Sequence, residues 1–293
     1  MDEKELEKWR QAGKITAKVR EYAKTLIISG ASLLEITEKI EKKIYDLGAE
    51  PAFPVTIGLN QIAAHYAADF NDETILKDEV VKVDIGAQID GYIGDTAFTI
   101  DLSGNYKDLL EAAEEALKAA IKVAKPGATL GEIGKAIQHE IEKRGFSPIH
   151  NLSGHGIKRH NAHTSPSVPN YDTGSEETLK PGTIVAIEPF ATNGKGAIKE
   201  SSHPTIFAQI DDKPVRSMIA RQVFKEIKKF NNLPFSYRWL NFSEGQIKLG
   251  IRQLLLSGNL RSHPPLPEVN NGIVSQFEHT LYIGEKGTEV LTH

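Results

Sequence analysis

Asp84 and Asp95 lie in Val80–Asp101, VVKVDIGAQIDGYIGDTAFTID, which reads as two strands joined by the turn pair Asp90-Gly91. A two-residue turn pairs Ile89 with Tyr92, Gly86 with Asp95 and Asp84 with Ala97. The two aspartates then become diagonal neighbours on one face, roughly 7–8 Å apart at the backbone. Converging carboxylates repel unless something positive lies between them, so the pair is a candidate cation site. A solvated polar face is the plainer alternative. Two more acids stand inside apolar runs: Glu188 in TIVAIEP and Glu278 in NGIVSQFEHTLYI. His155 sits between two glycines in NLSGHGIKRHNAH, where a tight backbone is expected, and His163 ends that segment. His65 precedes the first hairpin and His203 follows the Glu188 strand. His279 adjoins Glu278 but points to the opposite face of a regular strand, and His139, His150 and His160 read as structural or solvated.

Two Asp, two Glu and one His make an oxygen-rich donor set. It suits two divalent ions of the Co, Mn, Fe or Zn kind rather than one structural zinc. Two such ions can share an activated water and polarise a carbonyl, as in hydrolytic aminopeptidases and nucleases. The chain has no cysteine, so thiolate sites and disulfides are excluded, and it carries no GxSxG or P-loop motif. A net charge of −4 without a basic stripe argues against nucleic acid. No apolar run reaches membrane-spanning length and the N-terminal stretch has no signal-like apolar region, so no membrane partner and a cytoplasmic location are expected.

The elements that must position these groups show an internal match. Residues 3–28 read as an amphipathic helix. A second helix begins at Ser32 with Glu35 as a capping box, carries Leu33, Ile36, Ile40 and Ile44 on one face, and stops at Gly48. Gly30-Ala31-Ser32-Leu33 matches Gly127-Ala128-Thr129-Leu130, and Glu35, Ile36, Ile40, Ile44, Gly48 and Pro51 match Glu132, Ile133, Ile137, Ile141, Gly145 and Pro148. One constant offset through cap, stripe, glycine and proline favours a duplication. The four acids then fall two per half, and an approximate two-fold axis would bring them to the centre. The second strand pair is split by an insertion, residues 210–269, which reads as a small helical subdomain with helices over 215–230 and 243–256. The catalytic domain would be 1–209 with 270–293, and the fold class is α+β.

The series Asp84, Asp95, His155, Glu188, Glu278 resembles the five-ligand signature of the pita-bread metallopeptidases. The stretches PAFPVTIGLNQIAAHY, VDIGAQIDGYIGDTAFT, NLSGHGI, IEPFAT, LPFSYRW and NGIVSQFEHT resemble type 2 methionine aminopeptidases of the archaeal type along nearly the whole chain. The resemblance implies a pita-bread fold and a cytoplasmic metallo-exopeptidase, a hydrolase that removes the initiator methionine from nascent polypeptides when the second residue is small. Asp84 would chelate one ion, Asp95 and Glu278 would bridge both, and His155 and Glu188 would complete the other. Glu188 would also be general base, readying a metal-bridged hydroxide for attack on the scissile carbonyl. His163 would bond that carbonyl and His65 would assist proton transfer. Phe53 and His203 would line the methionine pocket. His263-Pro264 stands where the family often has tyrosine before proline at the pocket rim. A monomer with transient ribosome proximity is expected. A prolidase-like Xaa-Pro peptidase and a non-catalytic pita-bread binding protein are the alternatives.

Overall fold

A computed structural model describes all 293 residues. Helices α1 (Glu3–Lys24) and α2 (Leu33–Asp46) lead into three short strands, β1 (Glu50–Pro51), β2 (Thr56–Leu59) and β3 (Ile62–Ala64). The hairpin β4 (Val80–Ile89) and β5 (Tyr92–Asp101) follows. A second helix pair, α3 (Lys107–Val123) and α4 (Leu130–Glu142), leads through β6 (Ser147–Pro148) to β7 (Ser153–Lys158), β8 (Asn161–Pro169), β9 (Thr183–Ile187) and β10 (Phe190–Thr192). Next come β11 (Ile206–Gln209), α5 (Met218–Ile227), β12 (Phe235–Ser236), α6 (Glu244–Leu256) and β13 (Leu260–His263). The chain closes with β14 (Leu266–Pro267), β15 (Val274–Gln276), β16 (His279–Gly284) and β17 (Gly287–Val290). The result is a mixed α+β architecture.

The helices form where local chemistry allows. Asp2 accepts the Glu5 N–H at 2.8 Å and Glu5 reaches back, a capping box that starts α1. That helix ends at Lys24 rather than running to 28, because Thr25 caps it on Tyr22 O. At α2 only half of the expected box exists. Ser32 accepts the Glu35 N–H, but the Glu35 carboxylate turns outward to Lys39. The Leu33, Ile36, Ile40, Ile44 stripe is buried, worth about 1.5–3 kcal/mol for each side chain withdrawn from water.

The two helix pairs are entered in the same way. Gly30 N–H bonds Leu76 O at 2.7 Å, and Gly127 N–H bonds Leu179 O at 2.8 Å. Leu33 N–H bonds Thr74 O, and Leu130 N–H bonds Glu177 O. Both glycines hold φ near +85°, at +87° and +84°, a conformation other residues resist. Each pair packs its own apolar core against its own sheet, and Phe277 touches both cores.

The first sheet centres on β4, which pairs with β5 on one side and with β1 and β2 on the other. The second runs β17-β16-β9-β7-β8. A small sheet, β15-β10-β6, lies where the two parts meet. The segment from β11 to β13 has its own core, built on Phe224, Phe235, Ile247 and Leu254. It is not purely helical, since β12-β11-β13 form a three-stranded sheet beside α5 and α6. A buried ion pair, Arg238 to Glu41 at 3.0 Å, and a bond from Arg238 to Ala68 O fasten it to α2 and to the loop after His65.

Candidate metal centre and substrate cavity

The β4–β5 hairpin places its aspartates by register alone. Asp84 pairs with Ala97 and Gly86 with Asp95, across a turn in which Asp90 and Gly91 both hold positive φ. The second part places its acids differently. Glu188 lies just past the end of β9, and Glu278 lies in the break between β15 and β16, not within a strand. His279 still pairs with Ile187, so the break sits directly beside the β9–β16 ladder.

Side chains rather than a backbone ladder stitch β5 to this broken strand. Thr96 Oγ donates to Glu278 O at 2.7 Å, and Glu278 N–H donates to Ala97 O at 3.0 Å. Thr99 Oγ donates to Gln276 O at 2.6 Å and accepts the Gln276 N–H at 2.9 Å. Thr280 Oγ accepts the Asp95 N–H and donates to Asp95 O, both at 2.8 Å. This threonine seam brings Asp95 and Glu278 together with His155 of β7, their ligand atoms within 4.8 Å of one another. Glu188 Oε1 lies 3.6 Å from His155 Nε2, and Asp95 Oδ2 lies 3.8 Å from it. Asp84 interacts electrostatically with Asp95, Glu188 and Glu278. All five residues line one cavity, with Asp95, His155 and Glu278 forming its compact cluster.

Electrostatics leave that cluster short of a cation. Burial pushes the Asp84 carboxyl up to about 7. Burial and mutual repulsion raise Asp95, Glu188 and Glu278 well above the carboxylate range. Asp84 Oδ1, Asp95 Oδ1 and Glu278 Oε2 are buried without any hydrogen-bond partner. Burial holds His155 down to about 3, so its imidazole is neutral. Its Nδ1 faces Gly156 O at 3.3 Å, which leaves Nε2 turned to the carboxylates. Unpartnered oxygens and a free imidazole nitrogen aimed at common space fit divalent metal. The glycines beside His155 give the tight backbone expected, without a positive φ at either. A Cβ at Gly154 would lie 2.4 Å from Ala186 O, and one at Gly156 would lie 2.2 Å from Ser165 O. They let β7 lie close between β8 and β9.

A cavity of about 360 Å³ opens onto the five residues. Phe53, Phe190 and Ile206 give it apolar surface, and His65, His163 and His263 give it imidazoles. Phe53 packs over Gly86, where a Cβ would meet its ring at 2.2 Å. His65 holds a left-handed φ of +63° and stacks edge-on against His263, ring centres 5.6 Å apart. Burial, with the neighbouring imidazoles, pushes His65 down to about 3. His163 lies 4.2 Å, centre to centre, from the His155 ring but opens to the cavity.

His203 is a correction. It is exposed, at φ +68°, and contributes nothing to the cavity wall, because the SSHP turn projects it outward while Thr205 and Ile206 turn inward. His279 is held by Thr292 Oγ at 2.9 Å and by Arg20, away from the cavity. His139 is exposed on α4, and His150 packs on Tyr171. Sequence reasoning missed Asn151 and Arg261 in the cavity wall and Gln276 behind it. The alternation Gln276–Glu278 was the one local sign for Gln276.

Comparison with known proteins agrees with this geometry. Residues 7–235 match the model of metallopeptidase family M24. The chain is 49% identical over 293 residues to the methionine aminopeptidase of Pyrococcus abyssi, covering 98% of this chain and 99% of that one. It is 46% identical to the enzyme of Thermococcus onnurineus over the full length of both. The crystal structure of a Thermotoga maritima methionine aminopeptidase shares the fold, with a TM-score of 0.74 at 24% identity, covering 100% of this chain and 98% of that chain. With a carboxylate–imidazole cluster suited to metal and similarity running end to end, the chain belongs to metallopeptidase family M24 and, within it, to the methionine aminopeptidases.

Proposed function

We propose that this chain removes the amino-terminal methionine from polypeptides at a centre of two divalent ions held by Asp84, Asp95, His155, Glu188 and Glu278. The observation that carries the reading is the buried cluster of Asp95, His155 and Glu278, their ligand atoms within 4.8 Å of one another, with oxygens of Asp84, Asp95 and Glu278 left without a hydrogen-bond partner. Bound there, divalent ions supply Lewis-acid polarisation of the scissile carbonyl and a water of lowered pKa. Asp84, Asp95, His155, Glu188 and Glu278 would hold the ions, their carboxylates and the one imidazole supplying the donors. The donor set admits Co, Mn, Fe or Zn.

The chain's own groups do the rest. Glu188, at the cavity end, takes the proton from the attacking water and passes it toward the leaving amine. His163 reaches into the cavity, where a hydrogen bond to the carbonyl oxygen strengthens as negative charge develops. His65, neutral at pH 7, stands near the scissile amide and assists the proton transfer. Phe53 lines an apolar slot for the thioether, with His263 at its rim. Only a free terminal amine would have room to reach the ions, which would restrict cleavage to the first peptide bond. Crowding beside that bond favours a small second residue. The enzyme acts as a cytoplasmic monomer on nascent chains, with transient ribosome proximity. Its two helix pairs with their sheets descend from one duplicated unit, and the segment 210–269 is an inserted subdomain that shapes the cavity.

Incubating the protein with Met-Ala-Ser and with Xaa-Pro peptides, under added Co, Mn or Fe, tests the reading. Release of methionine alone is expected. Cleavage confined to Xaa-Pro bonds would identify a prolidase, and no cleavage with any ion would leave a binding protein.

A further inference from the structure

Gln276 is 1% exposed and carries no charge, yet its side chain points into the densest cluster of carboxylates in the molecule. Its Nε2 donates to Glu188 Oε2 at 3.2 Å. Asp84 lines the same cavity as Glu188, with its Oδ1 buried and unpartnered. The Gln276 backbone is fixed from both sides. Thr99 Oγ bonds both its N–H and its C=O, and β15 pairs it with Phe190, two residues after Glu188. The direction of the amide is therefore set by two strands before any ion binds.

We infer that Gln276 is a positioning residue of the metal centre, its carboxamide orienting the Glu188 carboxylate. The inference rests on the two-ion reading, in which Glu188 is a metal ligand. The carboxamide donates a hydrogen bond without carrying charge. A lysine or arginine in its place would neutralise the cluster and compete with metal. A glutamate would add repulsion and remove the donor. Only a neutral donor orients the anion while leaving its charge for the ion. Outer contacts of this kind fix ligand direction, and their loss typically costs about 10–100-fold in metal affinity.

The test uses the full chain with metal removed. Mn is titrated into wild type, Gln276→Met and Gln276→Glu by calorimetry. The visible spectrum of each Co-loaded protein and the melting temperature of each metal-free protein are recorded alongside. Gln276→Met keeps length and burial but has no donor. It is expected to fold with a wild-type melting temperature, to bind Mn about 10–100-fold more weakly, and to show a shifted Co band. Gln276→Glu keeps the shape and is expected to lose affinity as well, which covers the case in which the methionine variant fails to fold. Wild-type Mn affinity and an unshifted Co band in Gln276→Met overturn the inference alone. Tighter binding by Gln276→Glu than by wild type also overturns it, because charge rather than donation would then govern the site. If wild type itself takes up no Mn, the two-ion reading falls and the inference falls with it.

Discussion

The two acid-bearing parts of the molecule reach one cavity by different means. In the first, ten-residue strands β4 and β5 pair without interruption, and register carries Asp84 and Asp95 to the site. In the second, the acids sit where strands break: Glu188 follows the end of β9, and Glu278 fills the gap between β15 and β16. A regular ladder points alternate side chains to opposite faces and cannot turn backbone and side chain independently. A break can, provided other groups satisfy the freed N–H and C=O. Thr96, Thr99 and Ala97 of β5 provide those partners. The first part is therefore a rigid template, and the second is moulded onto it.

The largest expected effect lies at the moulded end. Glu188→Gln keeps the shape but removes the proton acceptor and weakens a ligand, so turnover on Met-Ala-Ser should fall by at least about 10²–10⁴-fold. Near wild-type turnover would remove Glu188 from its role. His163, within the bulged strand β8, makes the chemically contrasting case. Because His163 is the proposed hydrogen-bond donor to the developing oxyanion, His163→Ala should slow turnover by about 10²–10³-fold while elemental analysis finds metal content unchanged. Lost metal would instead make it a ligand.

The same contrast decides what the sequence discloses. Asp84 and Asp95 are legible because Asp90-Gly91 and strict alternation fix their register, and the residue pairs read from the turn are those found. Glu188 and Glu278 are legible as acids in apolar runs, but not as residues outside strands. For Glu278 the reason is that its stretch is supported by hydroxyls of β5 nearly two hundred residues away in the chain. No local pattern marks a threonine for such a bond. Lys82 shows the same limit. It reads as an ordinary polar strand position, yet it is 1% exposed, with Nζ bonded to Asn60 O and Val274 O. His203 errs in the other direction, since composition cannot say which way a short SSHP turn faces. The insertion's helices followed from their apolar spacing, whereas its sheet did not, because β12 is only two residues long.

Thr99→Val sharpens the comparison on the energetic side. It leaves the buried Gln276 N–H without a partner, at a cost of about 1–3 kcal/mol. Thr37 is equally buried, but its hydroxyl bonds only Leu33 O within α2. Thr37→Val should therefore cost no more than about 1 kcal/mol. Denaturant melts of both metal-free variants measure the difference. Equal losses would mean that the seam supports the second part no more than ordinary packing does.

The smallest effect concerns the turn that delivers β15 to the seam. Glu268 is buried with no cation beside it. Its carboxylate accepts the backbone N–H groups of Lys195, Asn270 and Gly272 at 2.6, 2.7 and 2.9 Å. Burial alone would raise its pKa, but these bonds, with one from Gly196, outweigh burial and hold it below 4.5. The folded chain thus binds this proton less readily than the unfolded chain. The resulting stability is fully present above the unfolded pKa and is lost as pH falls through the lower, folded value. Glu268→Gln replaces charge-assisted bonds with neutral ones and should cost about 1 kcal/mol near neutral pH. The gap between the two melting temperatures should be widest near neutral pH and close as the pH drops below the carboxylate range. A gap that stays constant with pH would mean that shape, not charge, holds the turn, and that the second part needs no ionised group at its entrance.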